Sequence, residues 1–494
     1  MRSSIKTVAY MSLALAVVAS GCSSKKSRNY GSTVAPSTSS TTAAPVSSNT
    51  NAPVATTVPP ATPAPLTSAL VASWNLEEVL EVDLATGQVN NRWATGKGPI
   101  DVAHGFTESY VANAMSQDVT VVDRLANGTT TPIDLTATPI TGVSFLSFLD
   151  NVLKPLVRPT GICTTPNRTK IYTANLLNIT AIDASTKTPT KSILGLSSIN
   201  LTNLLSNPGQ ALQNFISAPV QGLGFAKVAA TNQYALATSM ITGKVARIDV
   251  ATDRVVDYVD VGRAPIGIAI ANDKAYVACA LSQDIYVIDI ATGTVVTSIK
   301  AGMVPVDVAA SPSEDKIYVA NAVSGDISVI DTTADAVVDT LPAGMSVTQI
   351  FNQLGVTLPS GTSGTTGINA ALNGFLQGFT GGMTNPSSFG AILGGGAGGS
   401  GSGLGSILSP ANLINGVLTG FLAYAGVNQQ ALAGLNLPAL GIMSLGVSHS
   451  DEYVCAGNAL MGQLAITEIT NKNVNTVNGL TGLGPVDIAP LWRR

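Results

Sequence analysis

Charge is scarce in this chain of 494 residues: Asp, Glu, Lys and Arg together make up 11% of it, against roughly 25% in a typical soluble domain. Aromatic residues reach only 5%, cysteine occurs four times and histidine twice. The net charge is −4 and there is no long basic run, which excludes nucleic acid as a partner. His104 and His449 stand far apart, and neither HExxH nor CxxC occurs, so no metal is expected. No G-x-S-x-G elbow is present, and a G-x-G-x-x-G string, Gly396 to Gly401, lies in a Gly/Ser tract with no strand before it. No catalytic residue and no cofactor are therefore assigned. Disorder is excluded from the other side, because 45% of the residues are hydrophobic. Forty-eight glycines beside so many Ser, Thr and Asn suit short strands joined by tight turns.

The first residues do not belong to the fold. Arg2 and Lys6 precede an apolar stretch, Val8 to Val18, that is too short to span a bilayer comfortably and reads as a signal peptide over 1–21. The small residues of Ala19-Ser20-Gly21-Cys22 resemble the lipobox of bacterial lipoproteins, with Ala19 where leucine is usual. That resemblance implies cleavage before Cys22 and diacylglycerol on its sulfur. It places the chain in the cell envelope, anchored to a membrane and facing outside the cytoplasm. Residues 22–67 are mostly Ser, Thr, Ala and Pro without apolar periodicity, and are expected to form a flexible tether.

From residue 68 onward a repeat dominates. Tyr110-Val-Ala-Asn-Ala-Met-Ser-Gln-Asp-Val-Thr-Val-Val-Asp123 returns as Tyr276 to Asp289 and as Tyr318 to Asp331, with weaker copies at Leu70 to Asp83, Tyr172 to Asp183, Leu236 to Asp249 and Tyr453 to Thr467. Each unit opens on a β-rich run, as in Pro99-Ile-Asp-Val-Ala and Pro305-Val-Asp-Val-Ala, and closes on another, such as Val295-Val-Thr-Ser-Ile299. Four strands in roughly 40 residues match one propeller blade. The aspartates of Asp83-Leu-Ala-Thr-Gly87 and Asp289-Ile-Ala-Thr-Gly293 suit turns, as acceptors of N–H groups two residues on.

These units resemble the YVTN-type β-propeller repeat family over most of 69–344 and again over about 438–491. The resemblance implies the fold and says little of chemistry; surface-layer proteins and uncharacterised secreted proteins belong to that broad group, and lyases occur on related propellers. Units starting near Pro99, Pro159, Pro219, Pro265, Pro305 and Pro438 make six blades. A seventh forms if Pro485-Val-Asp-Ile-Ala489 supplies the innermost strand missing before Leu70. The expected fold over 68–494 is therefore all-β: a seven-bladed propeller of four-stranded antiparallel blades, closed by pairing its N- and C-terminal strands. Cys163, Cys279 and Cys455 fall in non-adjacent blades, too far apart for a disulfide.

Three insertions, 136–157, 195–217 and 345–437, each join the last strand of one blade to the first of the next, so they share one face. Helical spacing recurs in them, at Phe145, Phe148, Leu149, Val152 and Leu153, and at Leu413, Ile414, Val417, Phe421 and Tyr424. They predict a helical cap, with a protein or hydrophobic ligand as a candidate partner for it.

Asp101, Asp307 and Asp487 each stand second after a strand-opening proline, which could ring one mouth of the channel with carboxylates, with Lys97 and Arg263, just before the equivalent prolines, as candidates to balance them; a structural role, bonding neighbouring backbone N–H groups, is the favoured expectation. The preferred reading is a binding or scaffold module of the cell envelope. Two alternatives stay open: an enzyme, a lyase or hydrolase working at the channel mouth, and a self-assembling surface-layer or adhesive protein.

Overall fold

A computed structural model describes residues 68–490, apart from 75, 125–128, 140–149, 151–153, 155–156, 195–220, 223, 344–441, 459–462, 479 and 481–484. Blade 1 contains β1 (Ser68–Ser73), β2 (Glu78–Asp83) and β3 (Val89–Ala94); blade 2 is β4 (Pro99–His104), β5 (Glu108–Asn113), β6 (Asp118–Asp123) and β7 (Thr129–Asp134). Blade 3 is β8 (Pro159–Thr164), β9 (Lys170–Asn175), β10 (Asn178–Asp183) and β11 (Thr188–Leu194). Blade 4 is β12 (Phe225–Ala230), β13 (Tyr234–Ser239), β14 (Lys244–Asp249) and β15 (Arg254–Asp260). Blade 5 is β16 (Pro265–Ala271), β17 (Lys274–Cys279), β18 (Asp284–Asp289) and β19 (Thr294–Lys300). Blade 6 is β20 (Pro305–Ala310), β21 (Lys316–Asn321), β22 (Asp326–Asp331) and β23 (Ala336–Pro342). Blade 7 is β24 (Ile442–Val447), β25 (Tyr453–Asn458), β26 (Gln463–Glu468) and β27 (Val474–Val477), and β28 (Pro485–Pro490) returns to blade 1.

That return closes the ring. The first sheet runs β28-β1-β2-β3, with Val71 opposite Ile488 and Ala72 opposite Asp487. All seven sheets have four antiparallel strands, as the repeat predicts. Closure hides the backbone edges of β1 and β28 that would otherwise template aggregation.

Burial falls from the axis outward and explains the composition of each strand. β4 is buried at all six positions, whereas β23 is exposed at all but one, Leu341. The core lies in the seams between blades. One cluster joins Tyr110 and Val121 of blade 2 to Ile162, Ile171 and Ile182 of blade 3; another joins Tyr276 and Val287 of blade 5 to Val308 and Ile317 of blade 6. The repeated tyrosine is thus a seam residue, and Tyr172, Tyr276 and Tyr318 are the largest fully buried side chains. The repeated asparagine ties strand ends together: Asn113 Nδ2 donates to Asp118 at 2.6 Å, and Asn321 Nδ2 to Asp326 at 2.8 Å. The turn aspartates accept backbone N–H groups, as Asp83 does from Ala85 and Thr86 at 2.9 Å each.

Two boundaries differ from the sequence reading. The innermost strands of blades 4 and 7 begin at Phe225 and Ile442, not near Pro219 and Pro438, and neither opens on proline. Helices across the three insertions lie outside the described residues, apart from a short 3₁₀ turn, Leu135–Ala137, at the start of the first; every other element among the described residues is a strand. The insertions do leave the ring at one end, where β7, β11 and β23 finish. Among the described residues the strands are joined at the other end, the turn face, by short turns.

Candidate functional site

Seven residues, one per blade, occupy the third place in the innermost strands: Asp487, Asp101, Gly161, Lys227, Gly267, Asp307 and Ser444. A register shift falls close to that place in every one of the seven innermost pairings. Such bulges redirect the side chain that follows. Asp101 and Asp307 are each only 2% exposed. Asp101 Oδ2 accepts the N–H of Ile162 in blade 3 at 2.8 Å, and Asp307 Oδ2 accepts the N–H of Leu445 in blade 7 at 2.9 Å. Each carboxylate therefore staples its innermost strand to the next blade. It takes up an N–H on the channel edge, where β8 and β24 have no sheet partner.

Glycine does the same work by another route. A Cβ on Gly161 would lie 2.7 Å from Lys227 Cα, and one on Gly267 2.7 Å from Asp307 Cα, so at these two seams the backbones meet directly.

Lys227 supplies the positive charge of this ring. Its ammonium lies 3.1 Å from both oxygens of Asp307, two blades away. Lys97 and Arg263 are instead exposed where the insertions leave the ring. Sequence reasoning missed Lys227 because its strand lacks the opening proline. Counting back eleven residues from Leu236, as Pro99 precedes Tyr110 and Pro265 precedes Tyr276, would have found Phe225 and hence Lys227. Cys22 lies outside the described residues. Cys163, Cys279 and Cys455 are free thiols.

A second arrangement repeats on the turn face. Between blades 3 and 4, Tyr172 donates its hydroxyl to Asp253 Oδ1 at 2.5 Å and Lys170 its ammonium to Asp253 Oδ2 at 2.8 Å. Between blades 5 and 6, Tyr276 and Lys274 clasp Asp335 at 2.6 and 2.7 Å. The clasping aspartates hold the last place of a turn, with φ of 51° and 48°. Burial first, then the carboxylate, pushes both tyrosine hydroxyls far above their usual range.

The seam between blades 2 and 3 inverts this clasp. Glu108 stands where Lys170 and Lys274 stand, and Lys187 where Asp253 and Asp335 stand; the two form an ion pair. Tyr110 donates to Glu108 of its own strand at 3.0 Å instead of reaching across. There the seam opens into a concavity of about 550 Å³. Phe106 stands at it, 56% exposed, and Arg168, Asn167, Thr169, Asp183 and Ser185 line the blade 3 side. Arg168 bonds the carbonyl of His104 and the hydroxyl of Thr164, which spans the same seam. Asp183 is held low, at about 2, chiefly by the Ser185 hydroxyl and then by the N–H of Thr186.

No family model matches the chain, and no curated protein matches it. Among solved structures, a functionally unknown protein from Desulfotomaculum acetoxidans is similar, with a TM-score of 0.51 at 11% identity over 86% of this chain and 98% of that one. The likeness is of fold alone. Hydrazine synthase from Kuenenia stuttgartiensis is also similar, at a TM-score of 0.43 and 15% identity, covering 87% of this chain and 99% of that one. The propeller fold is consistent with a binding or scaffold module.

Proposed function

We propose that the chain is a binding module of the cell envelope that uses the turn face of its propeller. In this reading Cys22 carries the lipid, and residues 22–67 give a tether with a reach on the order of 40 Å. The tether joins the ring at Ser68, the start of β1, which is at the turn face. The face that holds the concavity is thereby the one nearest the anchor and the surrounding envelope material.

The observation that carries this reading is the coincidence of the inverted clasp with the 550 Å³ concavity. Sequences break their local rules chiefly at functional sites, and this seam reverses the clasp that two other seams share. By contrast, the ring carboxylates of Asp101 and Asp307 are taken up in holding blades together, which favours binding over catalysis at the channel.

The test immobilises the purified full chain and passes over it envelope extract separated into protein, lipid and polysaccharide fractions. Retention of at least one fraction that drops in the Phe106→Ala protein supports the reading. Retention of none, or retention indifferent to Phe106, contradicts it. The anchor is tested separately: Cys22→Ser should move the protein from the membrane fraction to the soluble one.

One observation favours self-association as a second reading. Val256, Val296 and Val338 are 51%, 56% and 57% exposed on the outermost strands of blades 4, 5 and 6. Such edges can pair with another copy. Light scattering over a hundredfold concentration range decides it, since a constant monomer mass removes this reading.

A further inference from the structure

Charge, shape and apolar surface at the seam between blades 2 and 3 narrow the ligand class. Four charged side chains line the concavity, two acidic (Glu108, Asp183) and two basic (Arg168, Lys187). Each is engaged within the protein: Glu108 with Lys187, Asp183 with its own turn, Arg168 with the carbonyl of His104. An ionic ligand would meet no excess of either sign. A wholly apolar ligand would have to strip water from the Asn167 amide and from the remaining lone pairs of the Thr169 and Ser185 hydroxyls, whose protons are donated to Asn167 Oδ1 and Asp183.

What the wall offers is the Asn167 amide and the acceptor lone pairs of two internally donating hydroxyls on the blade 3 side, and Thr107 with the exposed phenyl ring of Phe106 on the blade 2 side. Phe106 is the only phenylalanine in the described turns that join first to second strands; its counterparts hold Asn167, Asn232, Asn272, Ser313 and Ser450. An exposed aromatic face beside polar groups suits a ligand with an apolar face and a polar rim. The volume falls within the range of small-ligand sites, about 300–1,000 Å³.

We infer that this concavity binds a neutral saccharide, with the C–H face of a pyranose ring stacked on Phe106 and its hydroxyls turned to Asn167, Thr169 and Ser185. The inference rests on the turn-face reading above and gives it a ligand class. Room is sufficient for a di- or trisaccharide.

The test applies the purified full chain to an array of neutral and acidic oligosaccharides, then titrates the strongest neutral glycan by calorimetry against the parent, Phe106→Ala and Phe106→Trp. Expected are binding of neutral glycans, at least a tenfold weaker affinity in Phe106→Ala, and parental or better affinity in Phe106→Trp. Phe106 is exposed, so its removal leaves folding intact; a thermal melt checks this. Binding of sulfated or sialylated glycans alone, binding of none, or a Phe106→Ala protein that binds as the parent does overturns the inference. If Phe106-dependent retention is found only for the protein or lipid fraction of the envelope, the saccharide inference fails while the turn-face reading stands.

Discussion

Glu108 and Lys187 form an ion pair across the seam between blades 2 and 3 with its polarity reversed relative to Lys170 on Asp253 and Lys274 on Asp335. The reversal makes this seam chemically distinct from its neighbours.

A double-mutant cycle measures the pair. Glu108→Lys alone should set two ammonium groups against each other and lower stability by about 1 kcal/mol, because the pair is only partly buried. Glu108→Lys with Lys187→Asp rebuilds the polarity of the other clasps and should recover most of that loss in urea melts. A double variant no better than the worse single one would show that polarity at this seam is not a matter of local pairing.

The channel ring predicts larger effects. Asp307→Ala removes a carboxylate from Lys227 and the acceptor of the Leu445 N–H, and should cost about 3 kcal/mol. Gly267→Ala would push a methyl group to 2.7 Å from Asp307 Cα, where backbone cannot yield cheaply. A loss of about 1–3 kcal/mol is expected from such overpacking. Wild-type stability in either variant would contradict the staple described for this seam.

Alkaline pH should loosen the seams. Tyr172 and Tyr276 are raised by burial and by their aspartates, and Tyr258 is pushed up to about 12 by burial alone. A tyrosine raised on folding contributes stability that is complete below its unfolded value, about 10, and lost as pH climbs through the folded one. Urea midpoints should therefore begin to fall above about pH 8.5, where the buried thiols of Cys279 and Cys455 would ionise in the unfolded chain, and fall more steeply above about pH 10 as the tyrosines join them. Absorbance at alkaline pH should show a group of tyrosines that ionise only with unfolding. Reversible ionisation of all tyrosines near pH 10 in the folded chain would rule this out.

Buried thiols make a simpler case. Burial pushes Cys279 up to about 12 and also raises Cys455. The thiolate is the reactive form, so neither should be alkylated by iodoacetamide at pH 8 until the chain unfolds. Prompt labelling of either in the folded protein would contradict their place in the core.

Blade number and closure were legible because the units are local. Tyr110 to Asp123 and Tyr276 to Asp289 carry the same turns and the same alternation, and the orphaned strand at Pro485 matches the strand missing before Leu70. Legibility failed where a unit lost its marker. Without an opening proline, β12 was placed six residues early, and Lys227 went unseen with it. Asp101 and Asp307 bond backbone N–H groups, as their structural reading expects, but the bulges near Ile100 and Val306 leave no trace in the apolar pattern, so it was not legible that those groups belong to the next blade. Glu108 and Lys187 are both visible as departures from the repeat. That they meet depends on which turn packs on which strand, a contact 79 residues apart that no local pattern encodes.

Hydrogen exchange of the full chain, alone and with the envelope fraction it retains, tests the central claim most directly. The turn-face account predicts slowed exchange confined to segments 105–110, 165–170 and 183–188, which border the concavity, with no change at the end where the insertions leave the ring. Protection at that opposite end, with these three segments unaffected, would contradict it.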